Sequence, residues 1–154
     1  MNESTSLLAE VVDLEALRAR TRAYAAGFGF GSVRCGDVAL VVNELATNGL
    51  AHGRAPVEVC LDAFGDLMRV SVWDSFVVGV PLCGDLEDVD DDAEGGRGLL
   101  CVREFADVVS WGLRGCRKFV RAEFELPGGV GGVDVVRMSV ASSPGVPVPG
   151  RAGG

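Results

Sequence analysis

Three polar side chains stand four residues apart in "VVNELATNGLAHG", residues 41–53: Glu44, Asn48 and His52. A carboxylate, an amide and an imidazole do acid–base or ligand-binding work when they line a site, and only solvate a surface when they do not. On a helix, a spacing of four stacks them along one stripe. At about 100° per residue, Val38, Val41, Val42, Leu45, Ala46 and Gly49 share a broad apolar arc. Asp37, Glu44 and Asn48 fall just beyond its edge, and His52 lies at the boundary. A pocket rim sits at such a margin, but so does the ordinary change from inside to outside of any amphipathic helix. Periodicity alone leaves both readings open.

Two further features bear on the question. The alternation in "VSVWD" stops abruptly on a carboxylate, Asp74. "EGGRGLL" then places three glycines, Gly95, Gly96 and Gly98, directly before a helical pattern. Glycine there lets backbone N–H groups approach a phosphate closely, and a helix N-terminus adds partial positive charge. Each has a plain alternative: a terminal Asp is a common turn residue, and "GGRG" is a common flexible lead into a helix.

The elements that must position these residues follow from pattern. "DLEALRARTRAYAAGFGFG" predicts a helix capped by Asp13 and broken by Gly27, Gly29 and Gly31. Its G-x-G-x-G follows a helix, so the strand context of a dinucleotide fingerprint is missing. A second helix is predicted from about Gly36 to His52, stopped by Gly53. "PVEVCLDAF" and "LMRVSVWD" alternate on either side of Gly65-Asp66, which predicts a hairpin. A long Gly- and Asp-rich connection runs from Ser75 to Gly96, followed by a third helix in "GRGLLCVREFAD". "VVSWGL" and "RKFVRAEFEL" close the series as a strand pair joined by "RGC". This order predicts an α+β two-layer sandwich, with helices on one face of a mainly antiparallel mixed sheet. Residues 1–126 form the domain in this reading, and the Gly-, Pro- and Ser-rich residues 127–154 form a mostly disordered tail.

Composition narrows the function classes. A chain of 154 residues, 48% of them hydrophobic, suits one domain with a single core. No apolar run reaches the roughly 20 residues that span a bilayer, and "MNESTSLLAEVVDLEALRAR" lacks the pattern of a secretory signal, so a cytoplasmic protein without membrane contact is expected. A formal charge of -8, with seven carboxylates between Asp85 and Glu94, argues against general nucleic-acid binding. It leaves room for a small phosphorylated ligand held with a metal ion. The acidic run is no EF-hand, because a loop starting at Asp88 would need Gly and Glu where Ala93 and Leu99 stand. The five cysteines, Cys35, Cys60, Cys83, Cys101 and Cys116, are widely spaced with no C-x-x-C pair, so neither zinc nor a disulfide framework is indicated. Among fourteen basic residues Lys118 is the only lysine.

Taken in chain order, E-x-x-x-N on a helix, a strand-terminal Asp, a variable loop and G-x-G-L opening a helix resemble the N, G1 and G2 boxes of the GHKL ATPases. That superfamily includes gyrase, histidine kinases and anti-sigma-factor serine kinases, and it shares the Bergerat ATP-binding fold. "NELATNGLAHG" looks most like the single-domain anti-sigma-factor kinases, whose helix reads E-L-x-T-N-x-x-x-H. The resemblance covers about residues 10 to 126. It implies that Glu44 is the general base that polarises the attacking nucleophile. It implies that Asn48 ligates Mg²⁺ bridging the phosphates of ATP, and that Asp74 accepts a hydrogen bond from the adenine amine, which favours ATP over GTP. Gly96 and Gly98 would cradle the phosphates, with Leu99 completing the motif. Arg97 would either add charge there or face solvent, and His52 would either bond locally or contact the nucleotide.

The chain departs from the family pattern at three places. "DSFVVG" lacks the D-x-G-x-G of the usual G1 box, with no glycine until Gly79. Phe119 in "GCRKF" stands where a threonine hydroxyl usually supports the base. The acidic run 85–94 would sit in or near the ATP lid, and a solvated loop is expected there. The implied function is an ATP-binding regulatory protein, an anti-sigma-factor-type serine/threonine kinase that phosphorylates an anti-anti-sigma partner. Two alternatives stand beside it: a nucleotide-sensing module that holds a sigma factor or another regulator without efficient transfer, and a nucleotide-free acidic interaction domain. Relatives pair through this type of domain, so a homodimer is expected as well.

Overall fold

Side chains alternate between faces along a strand, so apolar residues at every second position mark a strand with one face buried. Residues 57–64 and 67–74 carry that pattern, and both form strands in the computed structural model, which describes residues 10–52, 56–75, 83–85, 102–129 and 134–141. In chain order the elements are β1 (Glu10–Val12), α1 (Leu14–Gly27), α2 (Ser32–His52), β2 (Val57–Phe64), β3 (Leu67–Asp74), β4 (Cys83–Asp85), β5 (Val108–Arg114), β6 (Arg117–Glu125) and β7 (Val136–Val140). Residues 102–105 are helical as well.

Among the described residues the strands form one seven-stranded sheet in the order β1-β7-β2-β3-β6-β5-β4. Only β1 and β7 run parallel; the other neighbours are antiparallel. Both long hairpins turn through a glycine with positive φ, Gly65 at 61° and Gly115 at 62°, as a glycine-first two-residue turn requires. Helix α2 lies across β2, β3 and β6, and α1 lies over β1 and β7, so both helices cover the same face. Val38, Val42 and Leu45 of α2 meet Val59, Val70, Ala122 and Phe124 of the sheet in a continuous core. The expected α+β two-layer arrangement, with helices on one face of a mixed sheet, is the observed one.

Helix α1 starts where predicted: Asp13 caps it, its Oδ1 accepting the Ala16 N–H at 2.7 Å. Arg18 Nη1 then donates to Asn43 Oδ1 at 2.7 Å and joins α1 to α2. Helix α2 begins at Ser32, earlier than the expected Gly36. Two contacts hold that first turn in place of propensity. The Cys35 N–H donates to the Gly31 carbonyl at 2.9 Å. Arg34 reaches across to donate from Nη1 to the Phe105 carbonyl at 2.6 Å and from Nη2 to Asp107 Oδ2 at 3.1 Å. The same Asp107 oxygen accepts the Glu125 N–H at 2.8 Å, and the Arg34 guanidinium lies 5.0 Å from the centre of the Phe124 ring. Arg34 therefore joins α2, the segment after the 102–105 helix and β6 at one point.

The tail expectation fails at residues 136–140. They form β7, inserted between β1 and β2, with Met138 fully buried and Val140 nearly so. The Gly- and Pro-rich surroundings mask a local V-x-M-x-V alternation that fits the uncovered edge of β2. Tyr24 of α1 donates its hydroxyl proton to the Asp134 carbonyl just before this strand. Burial and the nearby Asp134 push the Tyr24 phenol well above its ordinary range. The short strands β1 and β4 were not expected either; at three residues each, neither is long enough to display alternation.

Candidate functional site

The site is built where α2 comes down on the end of β3. Gly49 makes this approach possible. A Cβ at Gly49 would stand 3.1 Å from Val57 Cγ1, 3.4 Å from Val57 Cγ2 and 3.7 Å from Val72 Cγ1. The helix backbone thus rests directly on the first residue of β2 and on the residue two before Asp74. Glu44 and Asn48 are half-buried beside this seat, while His52, one turn further, is exposed. Burial falls along the stripe, so the two nearer residues face the layer boundary and the last faces solvent.

Asp74 closes β3 on the helix-bearing face. The parity of the sheet fixes this: Met68, Val70, Val72 and Asp74 are all buried and share one side. The Asp74 side chain is only 5% exposed. An ionised group this deep needs a partner, and the β3–β6 register supplies one by setting Lys118 opposite Asp74. Lys118 Nζ lies 3.5 Å from Asp74 Oδ2, and the lysine side chain keeps 21% of its surface exposed. Below them Val72 faces Val120 across the same pair of strands and gives the site an apolar floor.

Phe119, which occupies the threonine position by sequence, points to the other face. It lies opposite Trp73 in register, with ring centroids 4.7 Å apart. Gly112 of β5 leaves room for it, since a Cβ there would fall 2.8 Å from Phe119 Cζ. Arg121 covers the Phe119 ring at 4.8 Å and donates to Ser71 Oγ at 2.9 Å, while Arg117 stacks over Trp73 at 5.8 Å. On this face, which neither α1 nor α2 covers, Arg69 holds Asp62 through two hydrogen bonds of 2.8 and 2.7 Å. The aromatic side chain is therefore spent on the back of the sheet, and the side chain opposite Asp74 is the chain's sole lysine. Sequence reading noted that lysine but gave it no place in the site. Its uniqueness among fourteen basic residues was the one available signal.

Of the residues singled out by sequence, Glu44, Asn48 and Asp74 come to the helix-bearing side of the sheet, toward the end where β3 finishes. Gly96, Arg97, Gly98 and Leu99 lie outside the described residues, as does the acidic run beyond Asp85. Among the described residues, no group of three or more His, Cys, Asp or Glu side chains could hold a metal ion. A neutral amide oxygen such as that of Asn48 is a donor that suits a hard cation, whose other ligands would then come from phosphate and water. No helix among the described residues is long and apolar enough to cross a membrane.

No curated protein matches the chain. The family model for the histidine kinase-like ATPase domain matches residues 7–123, spanning α1, α2, the β2–β3 hairpin, all but the end of β6 and every described candidate residue. By that match and by its fold, the chain belongs to the histidine kinase-like ATPase family, within the GHKL superfamily.

Proposed function

We propose that this ATP-binding protein is an anti-sigma-factor-type serine/threonine kinase that uses Mg·ATP to phosphorylate a protein partner of the anti-anti-sigma kind. The observation that carries this is that Glu44 and Asn48 lie half-buried on α2, whose Gly49 rests on Val72, two residues before the buried Asp74. Asp74 accepts from the 6-amine of adenine. Asn48 offers its amide oxygen to Mg²⁺, and the ion neutralises phosphate charge when bound. Glu44, one helical turn from Asn48, would take the proton of the partner's serine hydroxyl as that oxygen bonds to the γ-phosphorus, while the bond to the β–γ bridging oxygen breaks and ADP leaves. Backbone N–H groups at Gly96 and Gly98 hold the phosphates, with Arg97 adding charge. The reading extends to a homodimer and to a partner bound through protein contacts, without nucleic acid.

A second reading rests on Phe119. With its ring on the far side of the sheet, the base lacks the hydroxyl support that relatives use. A nucleotide-sensing module that holds its partner without efficient transfer fits that difference. A phosphotransfer assay with the cognate partner separates the two readings.

The nucleotide site itself is tested by thermal shift with ATP, GTP and Mg²⁺. A ligand at about 100 times its dissociation constant adds about 2.7 kcal/mol. For a chain of this size, that raises the melting temperature by roughly 5–10 °C. The expected result is a Mg²⁺-dependent shift with ATP, little with GTP, and none in Asn48→Ala. An unchanged melting curve at millimolar Mg·ATP overturns the assignment.

A further inference from the structure

Among the described residues the sheet register sets Lys118 opposite Asp74, and its chemistry complements that of the carboxylate. The 3.5 Å separation is longer than the 2.7–2.9 Å typical of a tight ammonium–carboxylate hydrogen bond. An ammonium has three protons to donate, so one can engage Asp74 while another reaches a ligand. The Lys118 side chain keeps 21% of its surface exposed, against 5% for Asp74, so the lysine is the more accessible member of the pair. Val72 and Val120, one pair inward in the same register, put apolar side chains next to the charged pair, where each polar group counts for more than in water.

We propose that Lys118 is a second base-reading residue, donating to N1 of adenine while Asp74 accepts from the adjacent 6-amine. This rests on the ATP reading given above. Adenine presents a donor at position 6 and an acceptor at N1, matching an acceptor and a donor side by side. Guanine presents the reverse, a carbonyl at position 6 and an N–H at N1. In the same orientation it sets oxygen against carboxylate and N–H against ammonium. Lys118 thus adds a second rejection of guanine to that of Asp74, and takes over the supporting role that Phe119 cannot fill.

The test is equilibrium titration of the full chain with Mg²⁺ and ATP, 1-deaza-ATP or GTP, in the wild type and in Lys118→Met. In 1-deaza-ATP a C–H replaces N1, so only the proposed contact is lost. A hydrogen bond from a charged donor predicts that the wild type binds 1-deaza-ATP at least about tenfold more weakly than ATP. In Lys118→Met the two should bind alike, and the preference for ATP over GTP should shrink. If lysine only neutralises Asp74, the substitution weakens both adenine nucleotides equally and the ratio between them does not change. That outcome overturns the proposal, as does a wild type that binds ATP and 1-deaza-ATP equally, which needs no variant to observe. ATP binding with an unchanged ratio refutes the lysine contact alone. No binding of any nucleotide removes the site, and the proposal with it.

Discussion

Arg34 offers the sharpest test of how the helical layer is fixed to the sheet. Its guanidinium donates to the Phe105 carbonyl at 2.6 Å and to Asp107 at 3.1 Å, faces Asp37 at 3.5 Å and lies over the Phe124 ring. Replacement by methionine keeps much of the apolar stem and removes the fork. A charge-assisted hydrogen bond to a part-buried carbonyl contributes about 1.5–3 kcal/mol. The carboxylate pairs count for less, because Arg34 is 31% exposed and Asp107 38%. Together they contribute no more than about 1 kcal/mol after solvent screening. The ring contact adds about 0.5–1 kcal/mol. These terms share one side chain and do not add fully, so a net loss of about 2–3 kcal/mol is expected for Arg34→Met. In urea this lowers the unfolding midpoint by roughly 1–2 M with little change in slope. Arg34→Lys should recover only a minor part, since a single ammonium cannot serve a carbonyl and a carboxylate in fork geometry. A loss below about 0.5 kcal/mol, or lysine equal to arginine, refutes the role given to the fork.

Two further outcomes are expected. A chain ending at residue 133 loses Met138 and Val140 from the core, uncovers β2 from Val57 to Leu61 and leaves β1 without its neighbour. At about 1.5–3 kcal/mol for each large buried side chain, that is a large part of a typical domain's stability. Circular dichroism and size exclusion should show loss of the cooperative transition or association through the bared strand, and a native-like melt would refute the structural role of β7. Separately, burial, then the charge of Asp62, raise the Cys60 thiol above its ordinary range, against the opposing pull of Arg137 and Arg121. A raised value means less thiolate at a given pH. Residue-resolved alkylation near pH 8 should therefore modify exposed Cys116 well before Cys60, with Cys60 still gaining rate as pH rises further. Equal rates at pH 8 would contradict this.

Much of the architecture is legible in the chain because its signals are local. Asp13 followed by an apolar helical pattern marks α1, and the alternation around Gly65-Asp66 marks β2 and β3. Glu44, Asn48 and Asp74 are singled out in a different way, as residue types at fixed spacing whose proposed meaning comes from their order. What pattern reading missed depends on partners distant in sequence. Residues 136–140 become a strand because β2 presents an open edge, not because their neighbours differ from a linker. Lys118 and Phe119 are adjacent, and only the pairing with β3 decides which shares a face with Asp74. A shift of one residue would exchange their places. The start of α2 likewise depends on Arg34 reaching Phe105 and Asp107, some seventy positions onward.

The junction of β1 with β7 also constrains how the protein is born. Glu10 pairs with Met138, so β1 leaves the ribosome long before the strand it pairs with and must wait for it. The helices and the first hairpin have their contacts early, but β7 also supplies the partner for the outer edge of β2. Loop closure over such a span is slow compared with hairpin formation. At 5–20 residues per second, roughly the rate of synthesis, the nascent chain carries an unpaired strand edge for several seconds. That interval is when the bared strand edge is most open to wrong pairing, and substitutions in 136–140 should lower yield during synthesis before they change anything at the nucleotide site.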